Sequence, residues 1–179
     1  MRVTIGGLPG SGTTTACRLL EKELPVKSVY AGEIFRQLAK EHGMDLASFS
    51  RWCEDNPKID RELDDRVLEH LAKGEVIVEA RLSGWIARKH DLPAFKVWLT
   101  APVEVRAQRI SKREEKDIKQ TVREMQEREF SESKRYRDLY GVDLSDLSFY
   151  DLVIDTRSKT PEQIVQKIMG GIEEKRDEL

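Results

Sequence analysis

Short apolar runs recur along the chain, separated by longer stretches in which apolar side chains return every three or four residues. Glycine, proline or polar residues border each run, as is typical of strands buried on both faces. The runs lie at residues 3–6, 26–30, 76–78, 95–99 and 152–154. Buried strands that alternate with amphipathic helices predict an α/β fold, with a parallel sheet covered by helices on both faces.

Helical periodicity fills the intervals between the predicted strands. It extends through residues 33–73, but Gly43 and the Asn56-Pro57 pair interrupt it, so we predict three short helices there. Residues 111–138 are almost wholly polar. Their few apolar side chains recur at helical spacing and are Ile118, Val122, Met125 and Phe130. No repeat or flexible linker divides the chain, and we expect a single domain over residues 1–179.

The charge balance narrows the possible classes of protein. Charged side chains make up 36% of the chain, but 31 basic and 33 acidic residues leave a net charge of -2. A strongly basic nucleic-acid-binding protein and an acidic disordered chain are therefore not expected. The charge is segregated, because residues 106–137 hold 11 Lys and Arg against 7 Asp and Glu. Most of these charges fit a solvated, salt-bridged helix, and the segment is also a local source of positive charge.

Cysteine and histidine usage argues against disulfide and zinc sites. Cys17 and Cys53 lie far apart and have no C-x-x-C partner, so we expect two free thiols. The histidines form no H-x-x-x-H or H-E-x-x-H pattern. No apolar run approaches the length of a membrane span, and the first residues lack the pattern of a signal peptide. We expect a cytoplasmic protein, although residues 176–179 resemble a retention signal of the endoplasmic reticulum.

A glycine-rich segment joins the first predicted strand to the helix that follows. Residues 7–14 spell GLPGSGTT, which is G-x-x-x-x-G followed by two threonines. Glycines let the backbone curl around a phosphate with its N–H groups pointing inward, at the start of a helix. The Thr14 hydroxyl stands where this pattern places a ligand of Mg²⁺. We predict a phosphate-binding loop that consists of Gly7, Leu8, Pro9, Gly10, Ser11, Gly12, Thr13, Thr14 and Thr15.

Thr13 departs from the P-loop pattern, which has lysine immediately before its Ser or Thr. A threonine neither reaches the β- and γ-phosphates nor supplies a positive charge. The missing charge must come from elsewhere in the chain, or the loop binds nucleotide weakly. The nearest candidates are arginines of the basic segment 106–137, among them Arg106 and Arg109.

Six short stretches together resemble the nucleoside monophosphate kinases, and most closely the archaeal-type cytidylate kinases. Their order and spacing carry the resemblance. They lie at residues 7–15, 31–36, 76–85, 95–110, 128–135 and 150–156. The resemblance implies a P-loop NTPase-type fold with a five-stranded parallel sheet, a helical acceptor-binding insert at residues 31–73 and a mobile lid at residues 111–145.

The same resemblance implies an activity. Cytidylate kinases transfer the γ-phosphoryl group of ATP to CMP or dCMP, which gives ADP and CDP or dCDP. Mg²⁺ is then the expected cofactor and ATP the co-substrate. We expect small nucleotides as partners, without nucleic acid or membrane binding, and a monomer.

Three residues match the catalytic positions of the family. Glu79 follows a buried strand, where a carboxylate can order water around Mg²⁺ in the manner of a Walker B acid. Arg128 and Arg135 belong to an R-E-x-x-E-x-x-R pattern that resembles the R-D-x-x-D-x-x-R motif of the cytidylate kinase lid. Their spacing of seven places both arginines on one helix face, from which we expect them to clamp the same triphosphate.

Two further arginines match positions that bind the phosphate of the acceptor. Arg36 lies in AGEIFR, which follows the second predicted strand, and Arg81 lies in VIVEARLSGW. A guanidinium fork suits a phosphate dianion because it donates two parallel hydrogen bonds. An ordinary surface helix would also contain an arginine such as Arg36.

Recognition of the base is assigned to residues 59–66, IDRELDDR, within the predicted insert. Cytosine presents an amine donor beside two acceptors, so its partner should combine a carboxylate with an arginine or an amide. The segment offers Asp60, Arg61, Asp64 and Arg66, and Asp60 is our candidate. A salt-bridged surface helix explains the same letters.

Three other functions compete with a cytidylate kinase. An adenylate kinase or another nucleotide kinase shares the P-loop. A nucleotide-binding regulator without turnover is favoured by Thr13, which replaces the usual lysine. The basic segment 106–137 also allows nucleic-acid binding, but residues 106–129 contain no interleaved aromatic side chains to stack on bases.

Overall fold

The computed structural model of this protein describes residues 1–175. Within this range the strands are β1 (Arg2–Gly7), β2 (Lys27–Tyr30), β3 (Val76–Glu79), β4 (Phe95–Thr100) and β5 (Leu152–Asp155). They pair in parallel in the order β2-β3-β1-β4-β5. Each apolar run of the sequence thus forms a strand, and the predicted α/β fold is confirmed. The sequence 176–179, which resembles a retention signal, lies outside the described residues.

The helices of the described chain fill the predicted intervals. They are α1 (Thr13–Glu23), α2 (Ala31–Glu41), α3 (Leu46–Trp52), α4 (Pro57–Lys73), α5 (Ser83–Lys89), α6 (Val103–Glu114), α7 (Ile118–Tyr140) and α8 (Pro161–Glu174). The three helices predicted within residues 33–73 are α2, α3 and α4. Gly43 ends α2 with a positive φ of 66°, and Pro57 occupies the first position of α4, where it needs no N–H partner. None of the helices in residues 1–175 combines the length and hydrophobicity required to cross a bilayer.

Both faces of the sheet are covered by apolar side chains. On β3, Ile77 packs into the core beneath α1 and α8, while Val76 and Val78 pack against α4 and α5 on the opposite face. This alternation explains why three successive residues of the strand are apolar rather than every second one. The free cysteine Cys17 is buried in the first of these cores, and Cys53 is free and buried as well, as predicted.

The predicted insert has an apolar core of its own, separate from the sheet. Its buried members are Phe35, Ala39, Phe49, Cys53 and Leu63, which come from α2, α3, α4 and the 3₁₀ turn Cys53–Asp55. The sequence limits predicted for the insert and the lid remain predictions.

The last turns of helix α7 add Tyr136 and Tyr140 to the core beside α4 and α5, and its first half is apolar where it meets α6. Val122 and Met125 pack there with Ala107 and Ile110, whereas Phe130 is 73% exposed. Phe130 follows Met125 by five residues, about 140° around the helix, so it points away from the contact. The apolar spacing therefore predicted the helix correctly, and Phe130 lies outside its packed face.

Candidate active site

The loop between β1 and α1 has the backbone conformation that its glycines permit. Gly10 and Gly12 have φ values of 81° and 97°, in the left-handed region that other residues rarely adopt. A Cβ atom on Gly10 would also lie 2.7 Å from the carbonyl oxygen of Arg106. Gly12 is the N-cap residue of α1 and has no side chain with which to cap the helix. The first N–H groups of α1 therefore remain available to an anion.

Two arginines of α6 hold this loop by its carbonyl oxygens. Arg106 donates to the carbonyls of Pro9 and Ala101, each at 3.0 Å, and Arg109 donates to the carbonyl of Gly10 at 3.2 Å. The sequence suggested these arginines as replacements for the P-loop lysine. In the structure each arginine donates one hydrogen bond to the loop and others elsewhere, Arg106 to Ala101 and Glu129 and Arg109 to Thr156, so both side chains tie the loop to the neighbouring backbone.

Glu79, at the end of β3, accepts hydrogen bonds from both threonines of the loop. The Thr13 hydroxyl lies 2.5 Å from Oε1, and the Thr14 hydroxyl lies 2.9 Å from Oε1 and 3.1 Å from Oε2. The contact follows from the parallel register, which places Glu79 beside Ile5 of β1. Thr13 thus donates a neutral hydrogen bond to Glu79 at the position where a P-loop lysine would place a positive charge.

A buried carboxylate, Glu132 of α7, joins two of the predicted arginines. Its two oxygens accept hydrogen bonds from the Nε atoms of Arg81 and Arg128, each at 2.8 Å. Arg81 also donates to the carbonyl of Gly7 in the loop. Burial opposes ionisation of Glu132, but the arginine charges outweigh it and lower its pKa to about 2. Glu132 is therefore a permanent anion that fixes both guanidinium groups.

Arg36 of α2 is the opposite case. It makes no hydrogen bond or ion pair with any other residue in the described part of the chain, and it is exposed at the cleft. Burial and the nearby positive charge of Arg128 lower its pKa. Two like charges that face one cleft are the arrangement expected of a phosphate site.

Arg135 is buried between α7 and the insert. Its Nε atom lies 2.7 Å from Oδ2 of Asp60, and one terminal nitrogen donates to the Ser50 carbonyl and to the Ser131 hydroxyl. The side chains of Arg135 and Asp60 are each only 3% exposed. Arg128 and Arg135 therefore have different partners, and the joint clamp on a triphosphate remains a prediction.

One open cleft gathers most of the predicted site. The predicted residues that line it are Gly7, Pro9, Gly10, Thr13, Thr14, Arg36, Asp60, Glu79, Arg81, Arg128 and Arg135. Leu8, Ser11, Gly12 and Thr15 belong to the loop without lining the cleft. Ser11 is buried beneath the loop, and Thr15 is exposed on α1.

The cleft is also lined by charged and polar residues that were not predicted as site residues, among them Arg113, Glu132 and Tyr136, and by Asp64, which the sequence offered beside Asp60. Arg113 is exposed and pairs only with its neighbour Glu114, at 2.7 Å, within residues 1–175. A signal for it exists in the sequence, because Arg106, Arg109 and Arg113 recur at spacings of three and four and so share one face of α6. Arg113 therefore places a positive charge near the loop, and its N–H groups do not donate to backbone carbonyls within residues 1–175.

Comparison with known proteins decides the family. The model of the cytidylate kinase-like family matches residues 2–158. The chain belongs to this family. The cytidylate kinase of Methanopyrus kandleri is 49% identical to it over 178 residues, which cover 96% of this chain and 92% of the relative. The cytidylate kinase of Methanocaldococcus jannaschii is 46% identical over 174 residues, with coverage of 97% and 98%.

Solved structures agree with this family in fold. A gluconokinase from Sinorhizobium meliloti superposes with a TM-score of 0.63 at 15% identity, covering 97% of this chain and 91% of its own. A shikimate kinase from Aquifex aeolicus gives 0.57 at 19% identity and covers 98% of each chain. At such low identity these two structures bear on the fold alone. They confirm the P-loop kinase architecture that the resemblance implied.

Proposed function

We propose that this member of the cytidylate kinase-like family transfers the γ-phosphoryl group of ATP to CMP or dCMP. The observation that carries the proposal is that the phosphate-binding loop, Glu79 and the unpaired Arg36 line one cleft. Such a cleft offers an anion-binding loop for a donor and a separate cation for an acceptor phosphate. The family and its cytidylate kinase relatives support the identity of the acceptor.

The oxygen atoms beside the loop fit Mg²⁺. A hydroxyl and a carboxylate are hard donors of the kind that Mg²⁺ prefers, and the Thr14 and Glu79 oxygens already lie within 3.1 Å of one another. We infer that Thr14 would bind the ion directly and Glu79 through water. The bound ion would neutralise charge on the nucleotide phosphates.

The protein's own contribution is positioning and charge. Phosphoryl transfer needs little covalent chemistry from the enzyme, because charge is spread over the equatorial oxygens of the transferred group. The loop N–H groups would hold the donor, and Arg36 the acceptor phosphate. Glu132 fixes Arg81 and Arg128, and these two arginines would stabilise the charge on the phosphoryl group as it passes from donor to acceptor. Since Thr13 brings no charge, we infer that the arginines carry more of the rate than in a lysine-containing P-loop.

A steady-state assay of the purified protein tests this proposal. MgATP is supplied with CMP, dCMP, UMP or AMP, and the diphosphate product is measured. We expect CDP and dCDP as the preferred products, and a Glu79→Gln variant that folds normally but turns over at least tenfold more slowly. Preference for AMP would indicate an adenylate kinase. Binding of ATP without any product would indicate a regulator.

A further inference from the structure

Two carboxylates on successive turns of α4, Asp60 and Asp64, line the cleft, and they differ in their hydrogen-bond partners. Asp60 accepts a hydrogen bond from Arg135 at 2.7 Å, so its charge is balanced. Asp64, one turn later, is half-buried, and its buried Oδ2 atom has no hydrogen-bond partner among residues 1–175. A buried polar atom without a partner costs free energy, and a ligand that supplies an N–H group removes that cost.

The groups around Asp64 come from several elements. Asp60 and Asp65 share α4 with it, and Arg135, Tyr136 and Tyr140 face it from α7. Arg36 of α2 and Arg81 after β3 line the same cleft. Burial raises the pKa of Asp64 to about 7, which the two neighbouring aspartates reinforce and Tyr140 and Arg135 oppose. Asp64 therefore changes charge near neutral pH.

We propose that Asp64 is a specificity-determining residue whose carboxylate accepts a hydrogen bond from the exocyclic amine of the acceptor's base. The inference rests on the proposed function, since it assigns the residue that distinguishes cytosine from uracil in the same cleft. Asp60 is unsuited to this task because Arg135 already occupies it. Cytosine presents an amine donor where uracil presents a carbonyl oxygen, and an ionised carboxylate accepts the first but repels the second.

This assignment makes base selectivity depend on pH. An ionised Asp64 favours CMP, whereas a protonated Asp64 has a hydroxyl that can donate to the uracil carbonyl. Binding of CMP below pH 7 then releases a proton from Asp64 to the solvent, and binding of UMP does not. The ratio of kcat/KM for CMP to that for UMP should rise about a hundredfold between pH 6 and pH 8, because the ionised fraction of Asp64 rises while the protonated fraction falls. The ratio cancels titration of the acceptor phosphate, which both nucleotides share.

Asp64→Asn tests the assignment, with Asp65→Asn as the matched control on the exposed side of the same helix. The amide is nearly isosteric, does not titrate, and can donate to uracil. We expect Asp64→Asn to lower the CMP to UMP ratio at pH 8 about tenfold and to abolish its pH dependence. Asp65→Asn should keep the wild-type ratio at pH 8 and the rise of that ratio with pH, moved to slightly lower pH because one neighbouring negative charge is lost.

The outcomes separate the two proposals. No turnover of CMP by the wild-type protein would overturn the proposed function. An active wild type, together with an Asp64→Asn variant that keeps the wild-type ratio and pH slope, would overturn the role of Asp64 alone. Proton release by the wild-type protein gives a second readout that needs no variant. At pH 6.5, calorimetry in two buffers should show about one proton more released with CMP than with UMP, and an equal release would refute the role.

Discussion

The two ends of the cleft differ in how completely the protein satisfies its own charges. At the junction of α7 with the insert, Arg135 is buried with Asp60, Ser50 and Ser131 as partners. Near the loop, Arg36 has no partner within the described residues. Removing one partner of a buried charge pair destabilises the folded protein, whereas an unpaired charge in a cleft is available to bind a ligand. The comparison suggests that a side chain's partners, more than its type, separate structural arginines from binding arginines.

The largest expected effect is on stability at the paired end. Asp60→Asn leaves the Arg135 guanidinium buried without a counter-charge, and should lower the free energy of unfolding by about 3–5 kcal/mol. Arg135→Met should cost less, because Asp60, whose pKa burial already raises, can become neutral by protonation and a guanidinium cannot. Urea unfolding at pH 7 measures both. Lys134→Ala on the exposed side of α7 serves as control, and equal costs for the two buried variants would contradict the argument.

Glu132 should make the fold acid-sensitive. Its pKa falls from the usual 4.5 to about 2, so its contribution to stability is fully present above pH 4.5 and is lost as the pH falls through 2. The shift corresponds to about 3 kcal/mol. Glu132→Gln should therefore unfold more easily than the wild type at pH 7, and the difference should shrink toward pH 2. Unfolding free energies at pH 7, 4 and 2.5 test this, and a constant difference would speak against it.

At the unpaired end, activity should change while stability does not. Arg36→Ala removes no hydrogen bond within residues 1–175, so we expect its free energy of unfolding to change by less than about 0.5 kcal/mol. We expect kcat/KM for CMP to fall about a hundredfold, because the acceptor phosphate loses a charged donor. Arg61→Ala, an exposed arginine of α4, is the matched control. A destabilised Arg36→Ala variant with normal kinetics would make Arg36 a structural residue.

The features that could be predicted from the sequence are those encoded locally. The strand at residues 76–78 follows from a β-branched run after Gly74, and the phosphate-binding loop from glycines between a strand and a helix. Glu79 could be placed beside that loop because parallel strands end at the same edge of a sheet.

The pairing of side chains across the fold could not be predicted. Arg135 and Asp60 are 75 positions apart, and both lie in segments with the composition of solvated, salt-bridged helices. Only the docking of α7 against the insert shows that they are buried together. For the same reason, the sequence does not show that the Oδ2 atom of Asp64 lacks a hydrogen-bond partner.

Substitutions of Thr13 should have the smallest effect, which is on ATP affinity. They test whether the cleft's arginines supply the charge, because Thr13 provides only a neutral hydrogen bond where a P-loop has a cation. Thr13→Val removes the hydroxyl that donates to Glu79, and Thr13→Lys places an ammonium beside the same carboxylate. If the arginines already supply the charge, Thr13→Lys should keep or raise ATP affinity, by no more than about tenfold. Thr13→Val should change it less, since Thr14 still donates to Glu79. Direct titration with MgATP measures both variants, and complete loss of binding by Thr13→Lys would mean that the loop does not hold phosphate as a P-loop does.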